Sequence, residues 1–230
     1  MIVIVPHHNE PMTVLEATVE SALALDCCEG VVVVDDASAE PPDVDVWEIS
    51  ELRFSYVKLA ENRGPAGAIN AGIRHLEHFI TGDPLVARLD CGDLLTEGRG
   101  VQVGLMLDHG LEATFSPYFD PTKGAVIQPH RPWETGVFTD NMFAASTTVY
   151  RRSVWERVGG YDESLRWCDD WDFAMKVQRA IGWEKVDIVT THAAQFPGGH
   201  SDVAGEAAAR RSAERKVVHG RGLRLKRGGR

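Results

Sequence analysis

Three apolar runs in the first half of the chain each lead into a segment that carries carboxylates. Ile2–Val5 leads into Pro6-His7-His8-Asn9-Glu10, Val31–Val34 into Asp35-Asp36, and Leu85–Leu89 into Asp90-Cys91-Gly92-Asp93. Short apolar runs without alternation suit strands buried on both faces. Helical patterns lie between them. Pro11 opens one with Leu15, Val19, Ala22 and Leu23 on a single face. A second covers Ala66–Phe79, after a break at Gly64-Pro65. Phe54–Leu59, with polar residues interleaved, adds a strand after a loop from Pro41 to Asp45. This β-α-β-α-β order predicts an α/β fold: a mainly parallel central sheet flanked by helices, with right-handed crossovers.

The second half is less regular. Residues 100–108 have helical character and 112–116 strand character. Residues 117–142, rich in Pro, Gly, Asp and Thr, read as a loop-dominated insertion, and loops of that length tend to be functional. Ala144–Tyr150 reads as strand, Arg152–Val158 and Asp169–Ile181 as helices, and Val186–Val189 as a late strand. Val203–Val218 is Ala-rich and charged, which suits a helix, and Gly220–Arg230 reads as disordered. The expected division is a catalytic-type domain over 1–206 and a basic, flexible tail over 207–230.

Of the 230 residues, 43% are hydrophobic, enough for a packed core and too many for a disordered chain. No run approaches the roughly 20 apolar residues of a membrane span. The N-terminus enters a strand at once, with no secretion-signal pattern. The four cysteines lack the spacing of a zinc site, so a reducing, cytoplasmic setting is expected.

In an open α/β sheet, ligands gather at the carboxyl ends of the strands. The three carboxylate-bearing run ends would therefore meet on one rim. Clustered carboxylates repel one another and favour a bound cation, and oxygen donors without thiolates suit Mg2+ or Mn2+. Any single acid there could be an ordinary helix cap or strand terminator. Glu61–Gly72 is a Gly-rich turn feeding a helix, where the backbone can approach an anionic ligand.

Six segments in order resemble the family 2 glycosyltransferases of the GT-A fold. "IVIVPHHNE" resembles a first strand ending in IPxYNE, and "VVVVDDAS" resembles VDDGS. "NRGPAGAINAGI" resembles NxGxxxARNxGI, and "ARLDCGD" resembles ARxDADD. "STTVYRRSVWERVGGYDESL" resembles the stretch ending GGFDE, and "WCDDWDFAMKV" resembles the xEDxDLxLR helix. The resemblance spans roughly residues 2–200. It implies a Rossmann-like nucleotide-sugar-binding fold and inverting transfer from a nucleotide-diphosphate sugar, with uridine the commonest nucleotide.

By the same resemblance, Asp35 and Asp36 face the base and ribose, with Pro6 and Glu10 nearby and Arg63 along the nucleotide. Asp90 serves donor and metal, and Asp93 the metal. Asp170 matches the catalytic base, and Asp169 stands where Glu is commoner. Gly92 replaces the Asp usual in the DAD triplet. The late metal-ligating His is assigned to His200, with His192 as the alternative. Trp167 and Trp171 flank the base, as sugar-binding aromatics or as core, and Trp133 in the long loop is a candidate lid.

Residues 207–230 hold nine Lys or Arg against Glu214 alone, a charge of +8, while residues 1–206 carry −18. A basic tail on an acidic body suits contact with an anionic partner, nucleic acid or a membrane surface, or with the body itself. The acceptor is not legible. Two other readings fit the pattern. One is a binding module that keeps the fold with a degraded metal site. The other is a nucleotidyltransferase, which would need a basic Gly-rich loop where "PHHNEP" stands.

Overall fold

A computed structural model describes residues 1–47, 53–78, 80–129, 145–193 and 205–227. Its strands are β1 (Ile2–His7), β2 (Gly30–Asp35), β3 (Phe54–Lys58), β4 (Leu85–Arg88), β5 (Leu94–Leu95), β6 (Ala113–Phe115), β7 (Tyr118–Asp120), β8 (Ala125–Ile127), β9 (Val149–Arg151), β10 (Glu184–Lys185) and β11 (Thr191–His192). Its helices are α1 (Met12–Leu23), α2 (Gly64–His75), α3 (Gly98–His109), α4 (Arg152–Val158), α5 (Asp169–Ala180) and α6 (Gly205–Arg227).

Seven strands form the central sheet in the order β10-β6-β9-β4-β1-β2-β3. β1 pairs in parallel with both β2 and β4, so the strand order reverses at β1. A ligand crevice opens at such a switch point, above the carboxyl ends of β1, β2 and β4. β9 runs antiparallel to β4 and β6. A second, four-stranded sheet, β5-β11-β7-β8, stands beside it.

Both faces of the central sheet are covered, which explains the unbroken apolar runs of β1 and β2. Ile2, Ile4, Val32 and Val34 pack on one face with α2, α4 and α5. Val3, Val5, Val31 and Val33 pack on the other with α1 and α3. α2 lies close because of Gly72: a Cβ there would come within 2.5 Å of Ile4 and 3.0 Å of Val34.

Several local expectations change. Gly64-Pro65 does not break the chain but begins α2, since proline fits the first turn of a helix and Asp36 takes the amide groups there. The stretch read as loop from 117 carries the β7–β8 hairpin. Its turn is closed by Asp120 Oδ1, which accepts from Thr122 N, Thr122 Oγ1 and Lys123 N. Residues 130–142 of that stretch lie outside the described residues. The late strand is Glu184–Lys185 rather than 186–189. Where a flexible tail is expected from 207, α6 runs as helix to Arg227, with Val218 fully buried. Among the described residues no helix is long and apolar enough to cross a membrane, and all four cysteines are free thiols.

Candidate active site

The loops after β1 and β2 interlock above the switch point. Asn9, held at φ 65°, donates its backbone N–H to Ser38 Oγ and accepts from Ala39 N at 2.8 Å. Pro6 is half-buried within β1, and Glu10 accepts from His8 N. Asp35 is fully buried and accepts from Ser38 N and Tyr56 Oη, each at 2.9 Å. Burial opposes its charge, but these hydrogen bonds outweigh burial and hold its carboxyl below the ordinary carboxylate range. Asp36 accepts from Arg63 N at 2.6 Å and Gly64 N at 2.7 Å. It therefore caps α2 from across the sheet, satisfying amides the helix cannot bond itself.

The turn after β4 explains Gly92. Asp93 N donates to Asp90 O at 2.9 Å, and Gly92, third in this four-residue turn, has φ 104°. A type II turn demands such a residue there. Thr18 of α1 accepts from Gly92 N at 2.9 Å, fixing the turn. The Asp90 side chain is 41% exposed, and its backbone N–H donates to Ser146 Oγ. The Cys91 thiol is pushed well above its ordinary range, by burial and then by Glu10, Asp90 and Asp93. Carboxylates from two strand ends thus act on one point.

Arg88 ties this turn to α5. Its Nε donates to Asp90 at 2.5 Å and its Nη1 to Asp169 at 2.6 Å, and its guanidinium lies 5.8 Å from the centre of the Tyr161 ring. Burial works against its charge, yet Asp90 and then Asp169 hold its pKa above the ordinary value. Asp170, the second residue of α5, lies beside them and accepts from Trp171 N at 2.7 Å. Burial, and next the neighbouring Asp169, push its carboxyl up to about 7, against the pull of Arg88. A half-buried carboxylate titrating near neutrality is suited to accepting a proton.

A second group joins α2 to the α4–α5 connection. Asn70 uses all its amide capacity: Oδ1 accepts from Trp155 Nε1 and Tyr161 N, and Nδ2 donates to Tyr161 O and Glu163 Oε1. Arg63 donates to Glu163 at 2.5 Å. Arg166 donates to Asn62 Oδ1 at 2.7 Å, and its side chain lies over Gly64. Trp171 belongs to a buried cluster with Leu165, Cys168, Ala174, Met175 and Val218, with Trp167 packed against it, which is the core alternative for both indoles.

His200 and Trp133 lie outside the described residues. His192 is exposed on β11, whose register sets it opposite Leu94, the residue after Asp93. Among the described residues no group of three or more His, Cys, Asp or Glu side chains is arranged to hold a metal. A divalent ion held by one or two carboxylates plus substrate phosphates needs no such group, and the turn after β4 keeps Asp90 and Asp93 within one backbone hydrogen bond of each other. Arg88, Ser146, Thr18 and Glu163 have no role assigned from sequence. The signal for Arg88 was a charge next to the acidic end of an otherwise apolar strand.

This architecture is the GT-A fold. Residues 2–102 match the family model described as Glycosyl transferase family 2, so the resemblance carried by the motifs stands over that segment. A 71-residue stretch is 44% identical to the succinoglycan biosynthesis protein ExoO of Rhizobium meliloti (strain 1021), covering 30% of this chain and 20% of that relative. The chain thus spans a fifth of the length of the curated relative it matches. Among solved structures, Pyrobaculum calidifontis mannosyltransferase PcManGT in complex with GDP-Man and Mn2+ superposes with TM-score 0.68 at 24% identity, over 100% of this chain and 64% of that one. S. aureus TarS 1–349 in complex with UDP-GlcNAc gives 0.69 at 18%, over 96% and 71%.

Proposed function

We propose that the chain transfers a sugar, with inversion, from a nucleotide-diphosphate sugar to an acceptor hydroxyl. The observation that carries this reading is the Asp90–Arg88–Asp169 bridge, which ties the rim after β4 to the start of α5. The donor lies over the carboxyl ends of β1 and β2, where Pro6, Glu10, Asp35 and Asp36 shape its base and ribose side and Arg63 its flank. Asp90 and Asp93 hold a divalent cation, Mn2+ or Mg2+, with His192 or His200 as a further ligand. When bound, that cation supplies charge stabilisation for the departing diphosphate.

Asp170 accepts the acceptor's hydroxyl proton as its oxygen forms a bond to the anomeric carbon. The bond from that carbon to the diphosphate oxygen breaks, and the nucleoside diphosphate leaves with the electron pair. Asp169 stays paired to Arg88 and orients the start of α5. A binding module without activity draws its main support from Gly92, but the turn itself gives glycine a backbone reason to be there.

The test is a panel of nucleotide sugars led by UDP-sugars, assayed for binding and slow hydrolysis with Mn2+, with Mg2+ and with chelator. A donor that binds and is hydrolysed only with metal supports the reading, and Asp170→Asn then keeps donor binding while losing transfer. No binding of any donor, or near-normal turnover in Asp170→Asn, overturns it.

A further inference from the structure

The basic C-terminal segment is built into the site through its lone acid. Glu214, on α6, accepts from Arg166 N at 3.0 Å and from Trp167 N at 2.9 Å. These two amides lie just ahead of Asp169 and Asp170, in the connection that enters α5. Val218, one turn further along α6, is fully buried against Leu165, Cys168, Trp171, Ala174 and Met175. The ring of His219 lies 6.4 Å from that of Trp171. The side chain of the same Arg166 reaches Asn62 Oδ1 at 2.7 Å and Asn62 O at 3.3 Å, in the turn that Asp36 caps.

We propose that Glu214 is a positioning residue: docked by α6, it orders residues 166–168 and so sets the Asp169–Asp170 pair and the Asn62 turn in one geometry. The energetic reason is direct. A loop amide aimed inward loses its water and needs an acceptor, and a carboxylate that takes two adjacent amides fixes both the direction and the register of the chain entering the helix. Without it the approach to α5 gains freedom, and the first carboxylates of the helix share that freedom. Most of the charges on α6 are cations, and Glu214 is the anion that faces inward and docks.

The activity arm of the test rests on the transfer reading above; the exchange arm does not. Hydrogen exchange is followed on the full chain for wild type, Glu214→Ala, Glu214→Gln and Glu214→Asp. In Glu214→Ala, amide protection should fall at 166–167, and the loss should extend into 168–172. With UDP-GlcNAc or GDP-mannose, whichever the donor panel identifies, kcat should drop about ten- to hundredfold, since small misplacements of a reacting group cost rates of that order. The donor KM should stay within about threefold, because the lost interaction matters for the reacting geometry and not for uniform binding. Glu214→Gln, whose amide oxygen still accepts, should recover most of both. Glu214→Asp, one methylene shorter, should show the same changes in smaller degree, so the proposal remains open to test if the alanine variant does not fold. Unchanged exchange at 163–172 in Glu214→Ala and Glu214→Asp overturns the proposal. So does altered exchange with unchanged kcat. If wild type binds no nucleotide sugar at all, the transfer reading fails, and exchange alone still decides whether Glu214 orders this segment.

Discussion

Arg88 and Asp169 form a buried ion pair across 81 residues of chain, at 2.6 Å, with both side chains almost wholly removed from water. Taking two charges out of water is costly, so such a pair is a weak stabiliser as a unit. Removing one member, however, strands the other. Arg88→Met should therefore lose about 3 kcal/mol or more of stability, the penalty expected for leaving a buried carboxylate unpaired. A urea melt at neutral pH measures it. A loss below about 1 kcal/mol, the range of exposed pairs, would show that Asp169 finds water or another donor.

Asp170 gives a stability signature that needs no substrate. Its carboxyl is raised from 3.8 to about 7 by burial and by Asp169. The folded chain therefore binds this proton more tightly than the unfolded chain does. Stability from this group is present below the ordinary carboxylate pKa and is lost as pH rises toward 7. Asn in its place carries no such proton. Asp170→Asn should be more stable than wild type at pH 8, and the advantage should vanish as pH falls below about 4, where wild type is protonated too. Parallel urea midpoints from pH 4 to 8 test this, and a constant offset would remove the raised pKa from the account.

The first half of the chain was legible because its strands are buried on both faces, so hydrophobicity alone marks Ile2–Val5, Val31–Val34 and Leu85–Leu89. Their acidic ends were visible for the same reason. The short strands were not. Leu94–Leu95 and Thr191–His192 form only by pairing with each other and with β7, a tertiary event with no local period. Hydrogen-bond partners were hidden likewise. Asp36 and Gly64 stand far apart in sequence, as do Asn70 and Tyr161, and only folding brings a carboxylate to a helix start or an amide to a loop. The motif residues Asn70 and Glu163 were read as part of a family pattern, and their observed contacts are structural: they pin α2 to the connection that enters α5.

Asp36→Ala should destabilise the chain by about 1–2 kcal/mol, the cost of a lost helix cap with two orphaned amides. Asp36→Asn keeps one good acceptor oxygen and should lose roughly half as much, so the two variants bracket the cap. Thermal melts separate this from a direct ligand role. If Asp36→Ala melts like wild type yet loses nucleotide binding, the carboxylate serves the ligand and the cap is incidental.

Gly92→Asp restores the residue common in related motifs and should still not restore a stronger metal site. Gly92 sits at φ 104°, where an L side chain is strained, and its N–H is committed to Thr18. The substitution should cost on the order of 1–3 kcal/mol, the usual strain of a residue forced into that region. It should also open the turn that sets Asp93 beside Asp90. Mn2+ affinity, read by electron paramagnetic resonance on the free protein, should therefore fall or stay level. Tighter Mn2+ binding at unchanged stability would mean that the turn adapts without strain, and that glycine here marks a weakened metal site rather than a backbone requirement.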